Sequence, residues 1–203
     1  MSKMNKEIAF VLGNGITRLE VNCESLLDYG HVYGCNRIYE EFAPTVLVST
    51  DKGMAQEIQQ SGYSSNHIHY TRKNNKILDS GTNILPNNLW DLSSGPAALG
   101  LACETYATYF YMIGMDLKGI NNKINNIYAG TQHYKNKDNI PTHFDNWVRQ
   151  VEYIMRKFPS KRFIHVNPLH NFTPDIWIKN DNLEIMSLYE FKRLINNMHN
   201  RIL

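Results

Sequence analysis

The sequence predicts an α/β protein, a single Rossmann-like domain with a mostly parallel sheet and helices on both faces. Short apolar runs of strand length, such as "IAFVLG" at residues 8–13, are continuous rather than alternating, as in strands covered on both sides. These runs alternate along the chain with segments of helical spacing. A chain of 203 residues with 42% hydrophobic content is also long and apolar enough to bury one full core.

Each element follows from local signals. After the first strand, "VNCESLLDYG" at 21–30 reads as a short helix stopped by Gly30. "VYGCN" at 32–36 and "PTVLVST" at 44–50 read as the next two strands, and "KGMAQEIQQSGY" at 52–63 as a helix ending at a glycine. "NHIHYTR" at 66–72 alternates as a strand does, which places His67 and His69 on one face; no third metal ligand accompanies them, so they read as packing residues. Residues 73–92 are polar and asparagine-rich, a loop or covering flap. "SGPAALGLACETYA" at 94–107 is a small-residue helix suited to lie close on a sheet, and "YFYMIGMDL" at 109–117 is a buried strand. Residues 118–142 form a long polar loop of the kind that is functional or mobile. An amphipathic helix over 143–159, a strand over 162–168 and a terminal helix opened by the capping box Ser187–Glu190 complete the chain.

Composition narrows the partners. Lys+Arg 21 against Asp+Glu 19 gives a net charge of +2, which provides no global field for nucleic acid or lipid. Cys23, Cys35 and Cys103 are odd in number and form no Cys-x-x-Cys motif, so neither a disulfide framework nor a thiolate metal site is expected. The opening stretch, basic at Lys3 and Lys6, is broken by Gly13 and Asn14 and lacks the form of a signal peptide, and no run reaches membrane-spanning length. The expectation is a soluble, cytoplasmic protein.

Four expected strand ends converge where parallel sheets bind ligands, at a reversal of strand order: Gly13-Asn14-Gly15, Cys35-Asn36, Thr50-Asp51 and Gly114-Met115-Asp116. The Gly-Asn-Gly turn suits either a backbone cradle for phosphate or a bare strand-to-helix turn, and it is not the dinucleotide fingerprint because Arg18 stands at the final glycine position. Asn14 and Asn36 can donate and accept, as a base edge or sugar hydroxyls require, or can cap turns. Ser94-Gly95 opens a helix, which serves as an N-cap, an anion site or both. Asp116 ends a strand, where it can bind a hydroxyl, hold a metal or orient a lysine, and no Asp-x-Asp pair accompanies it. His143 begins a helix beside the long loop, where a histidine serves as general base or as a plain helix-start residue. Lys118, Tyr128, His133 and Tyr134 lie in or beside the same loop.

Together these stretches resemble the bacterial sialyltransferases of glycosyltransferase family 42. They resemble more loosely the 6-hydroxymethylpterin diphosphokinase-like family and the flagellin-modifying nonulosonate transferases of the same fold. The motifs are Gly13-Asn14-Gly15-Ile16-Thr17-Arg18-Leu19, Cys35-Asn36-Arg37-Ile38-Tyr39, Ser94-Gly95 and Phe110-Tyr111-Met112-Ile113-Gly114-Met115-Asp116, followed by Tyr128 and His143, in an order and spacing that cover most of residues 8–168. The resemblance implies a metal-independent glycosyltransferase with no cofactor beyond its nucleotide-sugar donor. Asn14, Asn36 and Ser94 would hold the nucleotide, with Gly13, Gly15, Gly95 and Asp116 beside them. His143 would deprotonate an acceptor hydroxyl, and Tyr128 or Lys118 would stabilise the departing phosphate. The acceptor is a glycan, small molecule or polymer, and the resemblance implies a homo-oligomer. Ile16-Thr17 replaces the family's Pro-Ser, and Lys118 stands where a tyrosine is expected, so the donor sugar does not follow. Two alternatives remain open. One is a magnesium-dependent pyrophosphate-transferring kinase of the pterin type using Asp51 and Asp116. The other is a non-catalytic nucleotide-binding module.

Overall fold

The computed structural model describes residues 7–169 and 171–200; the basic opening residues Lys3 and Lys6 lie outside them. The first apolar run forms β1 (Ile8–Leu12), buried along its whole length. It is followed by β2 (His31–Cys35), β3 (Val46–Ser49), β4 (His69–Thr71), β5 (Asn83–Ile84), β6 (Tyr109–Ile113), β7 (Arg162–Val166) and β8 (Leu183–Met186). The helices are α1 (Lys52–Gln60), α2 (Ser94–Cys103), α3 (Asp145–Lys157), α4 (Asp175–Ile178) and α5 (Leu188–Asn200). All strands join one parallel sheet in the order β5-β4-β3-β2-β1-β6-β7-β8.

The sheet is covered on both faces, which is why its central strands read as unbroken apolar runs. Ala9, Val11, Val46 and Val48 pack with α2, α3 and Trp177 of α4 on one side. Ile8, Phe10, Leu12 and Leu47 pack with Met54 and Ile58 of α1 and Phe191 of α5 on the other. The buried Ala97, Ala98 and Ala102 let α2 lie close to the sheet. The capping box at the start of α5 forms as expected: the Ser187 amide donates to Glu190 at 2.8 Å, and the Glu190 amide to the Ser187 hydroxyl at 3.2 Å.

Several expectations are corrected. Residues 21–30 form no α-helix; the connection from β1 to β2 carries two 3-10 turns, Ile16–Glu20 and Glu24–Asp28. The Asn22 side-chain oxygen accepts the Ser25 amide at 3.3 Å and the Ser25 hydroxyl donates to the Asn22 carbonyl at 2.8 Å, bonds that compete with helical hydrogen bonding. The strand expected to run to residue 117 stops at Ile113, because Gly114 and Leu117 take left-handed backbone at φ of 70° and 60°. β8 was not anticipated: it is an edge strand with no fully buried residue, so it lacks the apolar signature of its neighbours. The segment 73–92 carries β5 and two 3-10 turns, and buries Leu85, Leu89 and Leu92 in the core beside α2.

His67 and His69 do not share a strand. His67 is exposed and stacks on Tyr63 at 4.7 Å between ring centroids, whereas His69 lies fully buried in β4. Its two nitrogens bond the Ser49 hydroxyl at 2.7 Å and the Thr82 hydroxyl at 3.0 Å. Burial pushes its pKa down to about 4 from the usual 6.5. The unfolded chain therefore binds the proton more tightly, and the contribution of His69 is complete above the ordinary histidine value and lost as pH falls toward the folded one. Urea unfolding from pH 7 down to pH 4 is expected to lose about 3 kcal/mol through this group, and His69→Gln to remove that part of the slope.

Candidate functional site

Strand order reverses between β1 and β6. From β1 the chain steps outward through β2 to β5, and from β6 it steps the other way through β7 and β8. The segments leaving the carboxyl ends of β1 and β6 therefore part and leave a crevice. A cavity of about 460 Å³ fills it. Gly13, Asn14, Gly15, Asn36, Ser94, Gly95 and Asp116 all line this one cavity. The loop 118–142 contributes one wall, and nothing in 73–92 reaches it.

Of the two readings of the Gly-Asn-Gly turn, a backbone cradle for phosphate would have to do without both glycine amides. The Gly13 and Gly15 amides donate to the carbonyls of Ile113 and Gly114, both at 2.8 Å. The Ile16 amide donates to Asn125 at 2.9 Å and the Thr17 amide to Asp116 at 3.0 Å. The glycines are needed for a different close approach: a Cβ on Gly13 would stand 2.4 Å from the Gly114 carbonyl oxygen, and one on Gly15 2.3 Å from Asp116 Cγ. On the opposite wall α2 opens with Ser94 and Gly95, whose amides precede the first intrahelical bond, from Ala97 to the Ser93 carbonyl at 2.8 Å; Pro96 has no N–H. A Cβ on Gly95 would meet nothing within 4 Å, so the cavity is open there. Ser94 is the first helical residue rather than the cap, which is Ser93; its hydroxyl accepts the Thr50 amide at 3.0 Å and pins α2 to the end of β3.

Two residues of the cavity lining each hold one buried oxygen without a hydrogen-bond partner among the described residues, Asn36 Oδ1 and Asp116 Oδ1. Asp116 is 1% exposed, and its other oxygen takes the Thr17 amide and the Asn125 side-chain amide at 3.0 and 3.1 Å. Asn36 holds a left-handed backbone at φ 55°, a conformation asparagine tolerates better than most residues. Asn14 donates weakly to the Tyr134 hydroxyl at 3.5 Å and accepts from the Cys35 thiol at 3.8 Å. Burial pushes that thiol up to about 12, so it remains protonated and unreactive. Burial also pushes the Tyr134 phenol well above its ordinary value, partly offset by Asn36, leaving a proton donor in the cavity.

The three residues expected to carry catalysis do not line the cavity. The His143 side chain is 79% exposed and lies 3.6 Å from Asp145. The Lys118 ammonium sits 4.8 Å over the ring of Phe172. Tyr128 is buried in a structural cluster: it donates to Glu41 and accepts from Arg18 at 2.8 Å, while Arg18 makes two 2.9 Å bonds to the Glu41 carboxylate. Burial alone would raise Glu41, but the hydrogen bonds from Arg18 and Tyr128 outweigh it and hold the carboxylate below its usual range. Residues of the same three types, the consecutive His133, Tyr134 and Lys135, line the cavity instead. No sequence signal separates His133 from His143, because the path of the loop depends on distant anchors such as the 2.8 Å bond from the Ile127 amide to the Asn14 carbonyl.

Among the described residues no three His, Cys, Asp or Glu side chains gather as a metal site, and no helix is long and apolar enough to cross a membrane. The chain matches no family model, and neither the curated proteins nor the solved structures compared with it give a match.

Arg18 is 2% exposed, so its charge depends on Glu41. Glu41→Ala is expected to cost about 3 kcal/mol of unfolding free energy by leaving a buried guanidinium unpaired. Tyr128→Phe is expected to cost about 1 kcal/mol. Chemical denaturation of both variants checks the ordering.

Proposed function

We propose that the chain is a glycosyltransferase that holds a nucleotide-linked sugar in the crevice between β1 and β6 and moves the sugar to an acceptor hydroxyl without a metal. The observation that carries this is the convergence of the seven expected nucleotide-binding residues on one cavity that retains two unpartnered buried acceptors. Asn36 and Asp116, each with a buried oxygen still lacking a donor, are the polar side chains of the lining that would stand beside ribose hydroxyls or an exocyclic amino group. The open first turn of α2 at Gly95 suits a phosphate. The Tyr134 phenol and the Lys135 ammonium supply donors for the phosphate that departs. A sialic or related nonulosonic acid as the sugar rests on the family resemblance alone.

One observation favours the kinase alternative: Asp51 lines the same cavity as Asp116 and makes no capping bond to α1, leaving a second carboxylate available. Magnesium would be held by these two residues and would draw the phosphates of a nucleoside triphosphate toward them.

Thermal unfolding against CMP, CDP, UDP, GDP, ADP and ATP, with and without magnesium, separates the readings. A nucleotide at a hundred times its dissociation constant adds about 2.7 kcal/mol, roughly 5–10 °C at this size. A metal-independent shift with CMP or UDP is expected. A shift confined to ATP with magnesium supports the kinase, binding without turnover supports a non-catalytic module, and no shift overturns the nucleotide pocket. Gly95→Ala is expected to weaken nucleotide binding at least tenfold without lowering the melting temperature, since the added methyl fills the cavity and touches no protein atom.

A further inference from the structure

We propose that His133, oriented by Glu57, is the general base of this cavity, an assignment that rests on the transferase reading above. Four observations carry it. The His133 side chain lines the cavity, whereas His143 does not. Its Nε2 lies 3.0 Å from Glu57 Oε2. A carboxylate only accepts, so Nε2 carries the proton and Nδ1 keeps the basic lone pair. The carboxylate is itself held in place: Glu57 Oε1 accepts from Arg37 at 2.6 Å and from the Tyr39 hydroxyl at 3.4 Å. Arg37 is 9% exposed and also donates to Glu40 at 2.6 Å and to the Gln132 carbonyl at 3.4 Å, next to the histidine.

The third observation is the seat of the ring. A Cβ at Gly53 would stand 2.7 Å from His133 Cε1 and 2.8 Å from Nδ1. Gly53 is the second residue of α1 and has no left-handed backbone that would call for glycine. A glycine thus stands where a methyl group would displace the imidazole. Fourth, His133 holds φ at 69°, a left-handed conformation uncommon outside glycine, and strain of this kind persists where the surroundings enforce it.

In the transfer, the acceptor hydroxyl gives its proton to Nδ1 of His133 as its oxygen bonds the anomeric carbon of the sugar. The bond from that carbon to the phosphate oxygen breaks, and its electron pair leaves with the nucleotide. Glu57 is a positioning residue: it fixes the tautomer and stabilises the imidazolium.

The test uses the full chain and release of CMP from CMP-N-acetylneuraminate and of UDP from UDP-glucose, with water as acceptor. His133→Ala is expected to lower turnover by at least about 100-fold while binding of CMP or UDP persists, and added imidazole to restore part of the loss. Glu57→Gln is expected to lower kcat with KM unchanged. Gly53→Ala is expected to lower turnover with an unchanged or raised melting temperature, which separates displacement of the ring from misfolding. Wild-type turnover in His133→Ala, loss of nucleotide binding along with turnover in that variant, or dependence on His143 in its place overturns the assignment. A wild-type protein that binds nucleotide yet releases none from either donor overturns the transferase reading, and the base with it.

Discussion

The close approach of two strand ends governs this molecule. β1 and β6 are hydrogen-bonded neighbours, and the turns that leave them press together so tightly that Gly13 abuts the Gly114 carbonyl and Gly15 abuts the Asp116 side chain. Side chains at those glycines would drive the turns apart. With the glycines in place, the strands stay paired to their ends while the chain leaves them in opposite directions, and the crevice opens above the pair. The cavity, its polar lining and the anchoring of the long loop all build on this contact.

Polar groups just behind the contact hold it. Asp116 takes the Thr17 amide and the Asn125 side chain, and Asn125 in turn takes the Ile16 amide, so the first turn and the long loop are bonded through one buried carboxylate. Arg18 then reaches Glu41 and Tyr128, which ties the same turn to the region after β2 and to the middle of the loop. In a protein interior such groups are costly when unpaired and stabilising in geometry when fully met. That cost explains why Tyr128, an attractive phenol in the linear sequence, is committed to structure. The acceptors left unmet, on Asn36 and Asp116, belong to residues of the cavity lining.

The long loop shows where local inference stops. Its composition marks it as irregular, and it is irregular, but its side chains are sorted by partners far away in the chain. His133 meets Glu57 across 76 positions, and Tyr128 meets Arg18 across 110. The loop carries three tyrosine and histidine candidates within seven positions, 128–134, with His143 just beyond it. No periodicity distinguishes them, because the loop has no repeating geometry to assign a face. Edge strand β8 was missed for a related reason: it has no fully buried residue, and its strand character comes from pairing with β7.

Order and type of most elements were legible from residue pattern alone, since a strand buried on both faces must be apolar throughout and a helix laid close on a sheet must be small. The convergence of Asn14, Asn36, Ser94 and Asp116 was legible too, because parallel strands deliver their carboxyl ends to one edge whatever lies between them. Folding alone settled which amides are spent on neighbours, which tyrosine is buried with an arginine, and which histidine enters the cavity. Those outcomes depend on distances between residues roughly a hundred positions apart, and such distances exist only once the sheet has brought the segments together.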